Sequence, residues 1–342
     1  MSKSTELVAP AVQRGARANQ ASVSFFENPL QLRTILVPLD FSETSCRALE
    51  FALPLAKRFG AAVHVLYVYE GKPRPMSSLD RVDLFSDPSD ELFSDDEIAG
   101  RLHGEVQRRF GVDLELKDCH YRTGKASTEI CDVARKCDAD LIVIATHGHT
   151  SLKHVILGST AEKVVRHAAC PVLVVREASR GPIKTAAEGI ILEKILVPVD
   201  FSDCASQGAR YASVFATKVG ADLLLMHVVN PPDDIAAEKN IIGPPWPQVV
   251  QTALIEAEDK LETMMNFLPL IGISAETRVV AGEPIEKLEE ETRRADVDMV
   301  ITSTHGYTGL RHALLGSVAE ELVRVANCPV LVVPSHCRRV DF

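Results

Sequence analysis

The sequence predicts an α/β protein made of two tandem, doubly wound domains, each with a mainly parallel sheet and helices on both faces. One segment is written twice: residues 143–176 read VIATHGHTSLKHVILGSTAEKVVRHAACPVLVVR, and residues 301–334 read ITSTHGYTGLRHALLGSVAEELVRVANCPVLVVP. Short apolar runs also alternate with stretches of helical periodicity in both halves. This alternation implies right-handed crossovers between parallel strands that are covered on both sides.

The start of the repeat is duplicated as well. ILVPLDFSE begins at Ile35 and ILVPVDFSD begins at Ile195, so each copy spans about 145 residues, the size of a domain rather than of a solenoid unit. We therefore predict five segments: a flexible leader over 1–32, a first domain over 33–176, a linker over 177–192, a second domain over 193–334 and a tail over 335–342.

The elements of the first copy follow from local patterns. An apolar run predicts a strand over 33–39, a polar turn over 40–43 caps a helix, and Gly60 ends that helix. The remaining predicted elements are strand 62–68, helix 97–110, strand 112–122, helix 127–137, strand 139–146, helix 159–168 and strand 171–176. The second copy repeats the order, with strands near 194–199, 222–228, 273–280, 298–303 and 329–334.

Composition argues for a globular protein and against nucleic-acid-binding and membrane-spanning proteins. With 46% hydrophobic and 25% charged residues the chain can bury two ordinary cores. A net charge of −10 argues against a nucleic-acid partner, and no run reaches the ~20 apolar residues that span a membrane. Eight cysteines without CxxC pairs favour a reduced, cytoplasmic compartment. Arg14 and Arg17, in a leader with few acidic residues, leave an organelle transit peptide as the alternative.

A candidate ligand site lies where the first and fourth strands end. Ligands of doubly wound sheets bind beyond the carboxyl ends of the strands, at the reversal of strand order. The first strand of each copy ends at an acid, and the fourth ends at a small residue, followed by threonine, histidine and glycine. Nine residues later a helix begins at Gly-Ser, where N–H groups favour an anion. The candidate site residues are Asp40, Ala145, His147, Gly148, Gly158, Ser159 and Thr160 in the first copy, and Asp200, Ser303, His305, Gly306, Gly316 and Ser317 in the second.

Simpler interpretations of these residues stay open. The acids can cap helices and the glycines can make tight turns. His147 and His305 lack a nucleophile or second base at a recognisable spacing, so we predict a positioning or turn-packing role and assign no catalytic residue. The sequence offers no metal-ligand cluster. Each nine-residue span contains two basic residues, which either add positive charge to the candidate site or form a solvated rim around it. They are Lys153 and His154 in the first copy and Arg311 and His312 in the second.

The combined pattern resembles the universal stress protein family. It consists of ILVPxDFS, a strand ending in THG, nine residues, GS and AxCPVLVV, and it covers 33–176 and 193–334. The resemblance implies a five-stranded parallel sheet in the order 3-2-1-4-5 and pairing of domains along the last strand. In one branch of the family it also implies ATP binding through a G-2x-G-9x-G-S/T motif.

The resemblance implies adenine-side contacts at Asp40 and Asp200 and phosphate-side contacts at the glycines and serines of the motif. Ala145 and Ser303 depart from the motif, because the binding branch has glycine there, and Ser303 adds a polar side chain to the second crevice. We expect a stress-response protein that binds an adenine nucleotide in one or both domains: ATP in the first place, with ADP or AMP as the alternatives, with or without magnesium. The alternatives are a slow ATPase and a nucleotide-free scaffold.

Two assembly expectations complete the interpretation. The last strands, 171–176 and 329–334, are exposed sheet edges unless they meet, so we expect them to pair within the chain. Association of two chains into a homodimer is left open by the sequence.

Overall fold

The computed structural model describes residues 30–70, 95–112, 114–146, 157–176, 183–230, 246–294, 296–304 and 316–335. These residues divide into two compact units. Residues 31–191 make up the first domain and residues 192–335 the second.

Strands and helices alternate in both domains. The first domain contains β1 (Thr34–Pro38), α1 (Glu43–Phe59), β2 (Ala62–Tyr69), α2 (Asp95–Phe110), β3 (Cys119–Thr123), α3 (Ala126–Lys136), β4 (Leu141–Ala145), α4 (Ser159–His167), β5 (Val172–Val175), β6 (Thr185–Ala186) and β7 (Gly189–Ile190). The second contains β8 (Lys194–Pro198), α5 (Asp203–Val219), β9 (Asp222–Val229), α6 (Trp246–Asn266), β10 (Ala275–Ala281), α7 (Pro284–Thr292), β11 (Met299–Ser303), α8 (Ser317–Val325) and β12 (Val330–Val333).

Each domain is built on a five-stranded parallel sheet. The order is β3-β2-β1-β4-β5 in the first domain and β10-β9-β8-β11-β12 in the second. The predicted α/β class and the strand order 3-2-1-4-5 are therefore confirmed. Strand order reverses between β1 and β4, and between β8 and β11, which places a crevice at the carboxyl ends of these strands.

The cores lie where the apolar runs predicted them. Every residue of β4 (LIVIA) and β5 (VLVV) is buried, as expected of strands covered on both faces. Helix α1 packs on β1 and β4, while α2 packs on β3. In the second domain α5 packs on β8, β9 and β11, so the equivalent helix supports the equivalent strands.

Local signals set the ends of the first helix of each domain. Ser42 caps α1 by accepting the Ser45 N–H at 3.2 Å, and Gly60 ends the helix at φ 70°, in the left-handed region. Ser202 and Gly220 do the same for α5, with φ 78° at the glycine. The cap and stop predicted for the first copy are confirmed, and the second copy has the same pair.

Two segments differ from the sequence prediction. The strand expected over 112–122 is wrong in its first half: β3 begins at Cys119, and Leu116–Asp118 forms a single 3-10 turn closed by the Asp118 N–H on the Glu115 carbonyl at 2.9 Å. The segment expected to be a linker contains an antiparallel hairpin, β6 and β7, that packs on α1. Within the described ranges, no helix combines the length and the hydropathy that crossing a membrane requires.

Candidate functional site

The crevice of the first domain brings the predicted acid next to the end of the fourth strand. Leu36 of β1 pairs with Ile142 of β4, so the two parallel strands end at the same edge of the sheet, where Asp40 follows β1 and Thr146 follows β4. The Thr146 N–H in turn donates to the carbonyl of Val175, at 3.1 Å, which ties the end of β4 to β5. The neighbouring first and fourth strands expected from the sequence are thus confirmed.

The second domain repeats this arrangement. Leu196 of β8 pairs with Val300 of β11, so Asp200, which follows β8, and Thr304, which follows β11, lie at the same edge of the sheet. The Thr304 N–H donates to the Val333 carbonyl at 3.0 Å. Both crevices therefore combine a carboxylate with the end of a buried strand.

Each acid supports the turn in which it lies. Oδ1 of Asp40 accepts the Ser42 N–H at 3.0 Å and the Ser42 hydroxyl at 2.5 Å, and Oδ1 of Asp200 accepts the Ser202 N–H at 3.0 Å. Both acids are half-buried. Ser42 and Ser202 are the N-cap residues of α1 and α5. Asp40 and Asp200 therefore do not cap the helices; they hold the serines that do.

The start of the fourth helix meets the end of the fourth strand. The Gly158 N–H donates to the Thr146 carbonyl at 2.7 Å, and the Gly316 N–H donates to the Thr304 carbonyl at 2.6 Å. These glycines are the N-cap residues of α4 and α8, and neither helix has a side-chain cap. Their φ of −59° is one that any residue adopts, so a left-handed backbone does not explain the glycines.

The first residue of each of these helices is exposed. Ser159 and Ser317 are exposed at the first helical position, and Thr160 is half-buried beside Ser159. The first N–H groups of a helix have no intrahelical carbonyl partner, so this end of α4 or α8 offers donors to an anion.

The two small residues at the strand ends have different surroundings. Ala145 is buried, and Ser303 is half-buried against α5. A Cβ placed on Gly208 of α5 would lie 3.4 Å from the Ser303 Cβ, whereas Ala48 occupies the corresponding position of α1. In the second domain the larger strand residue, Ser303, thus faces a glycine on the helix, whereas in the first domain Ala145 is accompanied by Ala48 at the corresponding helix position.

Several predicted site residues fall outside the described ranges. They are His147, Gly148, Lys153, His154, His305, Gly306, Arg311 and His312. Their expected roles stay predictions. Across the ranges that the structure does describe, no group of three or more His, Cys, Asp or Glu side chains could hold a metal ion.

A family model decides the ancestry. The model described as the universal stress protein family matches residues 31–176 and again residues 192–334. The chain belongs to the universal stress protein family. It is a tandem member, because the two matches coincide with the two domains.

Individual universal stress proteins agree with this assignment. The protein MJ0531 of Methanocaldococcus jannaschii is 33% identical over 145 residues, which cover 42% of this chain and 82% of the relative. MJ0577 of the same organism is 28% identical over 155 residues, covering 42% of this chain and 96% of the relative. Each single-domain relative therefore corresponds to one half of the chain.

Solved structures of the family share the fold over nearly the whole chain. A putative universal stress protein from Pseudomonas aeruginosa superposes with a TM-score of 0.58 at 19% identity, covering 89% of this chain and 93% of that one. One from Archaeoglobus fulgidus gives 0.53 at 20% identity, covering 90% and 100%. At these identities the similarity concerns the fold.

The structure of this universal stress protein adds residues that the sequence did not suggest. A phenylalanine follows each crevice acid, and both Phe41 and Phe201 have a positive φ, 60° and 62°. In the second domain Nδ1 of His227 lies 2.6 Å from the Val199 carbonyl, immediately before Asp200. Burial lowers the pKa of His227, while the Val199 carbonyl and the charge of Asp200 oppose that shift. The repeated DFS tripeptide was the only sequence signal for the left-handed phenylalanines.

Proposed function

We propose that the chain is a stress-response protein that binds an adenine nucleotide, ATP or its products ADP and AMP, in the crevice of one or both domains. Binding, rather than turnover, is its main role, and the bound nucleotide switches or stabilises a surface seen by other proteins. We place its action in the cytoplasm.

One observation carries the proposal. A carboxylate, a closed strand-to-helix junction and an uncapped helix start lie at the same strand reversal, and this combination occurs twice in one chain. The helix N–H groups and the serine hydroxyl suit phosphate oxygens. The carboxylate suits the hydroxyl or amino donors of a nucleoside. Magnesium would enter with the phosphates, since the described side chains form no cluster that could hold it alone.

Calorimetric titration of the full-length protein with ATP, ADP and AMP, each with and without magnesium, tests the proposal. Asp40→Asn and Asp200→Asn are the informative variants, because asparagine keeps the oxygen that accepts the serine N–H but removes the charge. Loss of a charge-assisted hydrogen bond to the nucleoside would weaken binding about 10- to 100-fold at the altered site.

Asp132→Asn is the matched control, because this carboxylate lies on α3 and pairs with exposed Arg135. The binding stoichiometry of the parent, one or two, tells which crevices are occupied. A stoichiometry of zero would refute the proposal and favour the scaffold. Phosphate release that both asparagine variants abolish would favour the ATPase.

The proposed nucleotide role is accompanied by a proposal on assembly. We expect the last strands, over 171–176 and 329–334, to pair within the chain. Crosslinking of cysteines introduced along these strands, at a protein concentration too low for association, distinguishes pairing within a chain from pairing between chains.

A further inference from the structure

The turn that carries each crevice acid is held in an uncommon backbone conformation. Phe41 and Phe201 have φ of 60° and 62°, in the left-handed region that bulky side chains rarely adopt. Such a conformation persists only when the surroundings determine it. The same tripeptide, Asp-Phe-Ser, adopts it in both domains, so the feature belongs to the design of the fold rather than to one copy.

In the first domain an aromatic ring and a cation hold the Phe41 side chain. Phe41 is 3% exposed, and its ring centroid lies 6.4 Å from that of Tyr67 on β2. The guanidinium carbon of Arg109, in the last turn of α2, lies 5.4 Å from the centroid of the Phe41 ring. This distance is within the range of a cation–π contact.

The second domain builds the same contact from different residues. The Phe201 ring lies 4.4 Å from the His227 ring of β9, and the Lys260 ammonium of α6 lies 5.6 Å from the Phe201 centroid. Tyrosine has been exchanged for histidine and arginine for lysine, yet an aromatic ring and a cation hold the phenylalanine in both places. The repeated geometry, with different side chains, indicates that the cation over the ring is the property that matters.

The position of the phenylalanine sets the position of the acid. Because the phenylalanine backbone is left-handed, the following serine presents its N–H to the aspartate: Ser42 to Asp40 and Ser202 to Asp200, both at 3.0 Å. From this geometry we infer that Arg109 and Lys260 are positioning residues, which hold the crevice carboxylate in place through the phenylalanine ring. The second helix of each domain thereby becomes part of the nucleotide site without touching the ligand.

Arg109 is suited to an indirect role. Its Nε donates to Glu105 at 2.6 Å, so the charge of the guanidinium is already paired while its face covers the ring. The inference rests on the proposed function for the identity of the ligand, an adenine nucleotide. The contacts that hold the Asp-Phe-Ser turns are present in the protein whatever the ligand is.

The test uses the full-length protein and amide hydrogen exchange, which observes the two turns separately. The cation is removed in Arg109→Met and Lys260→Met and retained in Arg109→Lys and Lys260→Arg. Arg108→Met is the control, because Arg108 also pairs with Glu105 and lies next to Arg109 in the chain. Exchange of the Ser42 and Ser202 amides is measured without ligand and then as a function of ATP concentration.

Removing the cation should raise ligand-free exchange of the serine amide in the same domain about three- to tenfold, and should raise the ATP concentration needed for half protection by a similar factor. The charge-retaining variants should stay within about twofold of the parent, as should the control. Unchanged exchange in both methionine variants would overturn the inference. Faster exchange with unchanged ATP affinity would also overturn it, because the held turn would then not position the ligand.

Failure of the proposed function has a different signature. If ATP protects neither turn of the parent, the nucleotide proposal fails. Ligand-free exchange then decides alone whether the cations hold the two turns. Equal loosening by Arg108→Met and Arg109→Met would assign the effect to Glu105 and overturn the role of the ring contact.

Discussion

Gly189→Ala tests whether the hairpin of residues 183–191 is a fixed part of the first domain. Gly189 has φ 124°, and a Cβ built on it would lie 2.4 Å from the Pro54 carbonyl oxygen and 2.9 Å from the Arg58 nitrogen of α1. Both contacts are with backbone, which cannot rotate away as a flexible side chain would. The substituted chain must therefore distort the helix or release the hairpin.

The loss of unfolding free energy is set by whichever of these two responses costs less free energy. Keeping the hairpin docked requires about 1–3 kcal/mol of backbone strain, with the steric overlap in addition. Releasing it exposes Ile190, now 2% exposed, at about 1.5–3 kcal/mol. The Arg58–Glu188 ion pair adds less than about 1 kcal/mol, because Glu188 is 81% exposed. We expect the free energy of unfolding to fall by about 2–4 kcal/mol.

Urea unfolding followed by circular dichroism measures this loss, and limited trypsin digestion identifies its route. The Lys184 carbonyl accepts the Ile191 N–H at 2.9 Å, so cleavage after Lys184 requires the hairpin to open. Gly60→Ala is the control: Gly60 also has a positive φ, 70°, but no atom lies within 4 Å of its built Cβ. Its cost should be about 1–2 kcal/mol. An equal cost for the two variants, with no faster cleavage after Lys184, would refute the reasoning.

Three further predictions concern single side chains. Burial lowers the pKa of His64, and burial together with the charge of His64 lowers that of His120 to about 4, so the folded domain binds fewer protons than the unfolded chain. Stability contributed by the pair should therefore be full above about pH 6.5 and fall by about 1–2 kcal/mol as the pH drops towards 4. Urea midpoints that fall no further across this window in the parent than in the double variant His64→Leu/His120→Leu would contradict this. Glu291→Gln should cost about 3 kcal/mol of unfolding free energy, because Glu291 is 4% exposed and pairs with Arg278 at 2.5 Å; a loss below 1 kcal/mol in urea unfolding would show that the pair is not buried in solution. Ser42→Ala removes the cap of α1 and should cost about 1–2 kcal/mol, seen as a lower midpoint of thermal unfolding, whereas Ser42→Thr, which keeps the hydroxyl that caps the helix and donates to Asp40, should recover most of it.

Local chemistry explains the parts of the fold that sequence predicted well. The serine cap and glycine stop of α1 act within a few residues of the helix ends, so the sequence alone located them. The short, fully apolar runs of β4 and β5 fit strands that are covered on both faces. The end of β1 was nearly as visible: the polar DFS turn follows the apolar run, and the strand ends at Pro38, two residues before Asp40.

The incorrect half of the third strand had a different origin. Alternating polar and apolar residues over 112–122 fit an edge strand, but Leu116–Asp118 forms a 3-10 turn instead. The choice was made by contacts distant in sequence. His64 Nε2 lies 3.4 Å from an Asp118 carboxylate oxygen, and His103 lies 2.7 Å from the Leu114 carbonyl. Neither contact has a signal in the segment itself.

The hairpin and the held phenylalanines depended on tertiary structure in the same way. The composition around Gly189 is that of a linker, and only its approach to α1 shows that glycine is required there. The DFS tripeptide was visible twice in the sequence, but nothing in the sequence indicated which cations contact the phenylalanine rings. Arg109 and Lys260 lie on helices that are separated from these turns by more than fifty residues.

By itself, the sequence determined the duplication, the family, the strand and helix order and the acids and glycines of each candidate crevice. These are properties of short segments and of their repetition, and short-range forces are sufficient to specify them. The tertiary structure alone decided which distant helix covers each crevice turn, where the hairpin docks and how the third strand begins. Each of these depends on packing and hydrogen bonds between residues far apart in the chain, whose partners can be identified only after the sheet has assembled.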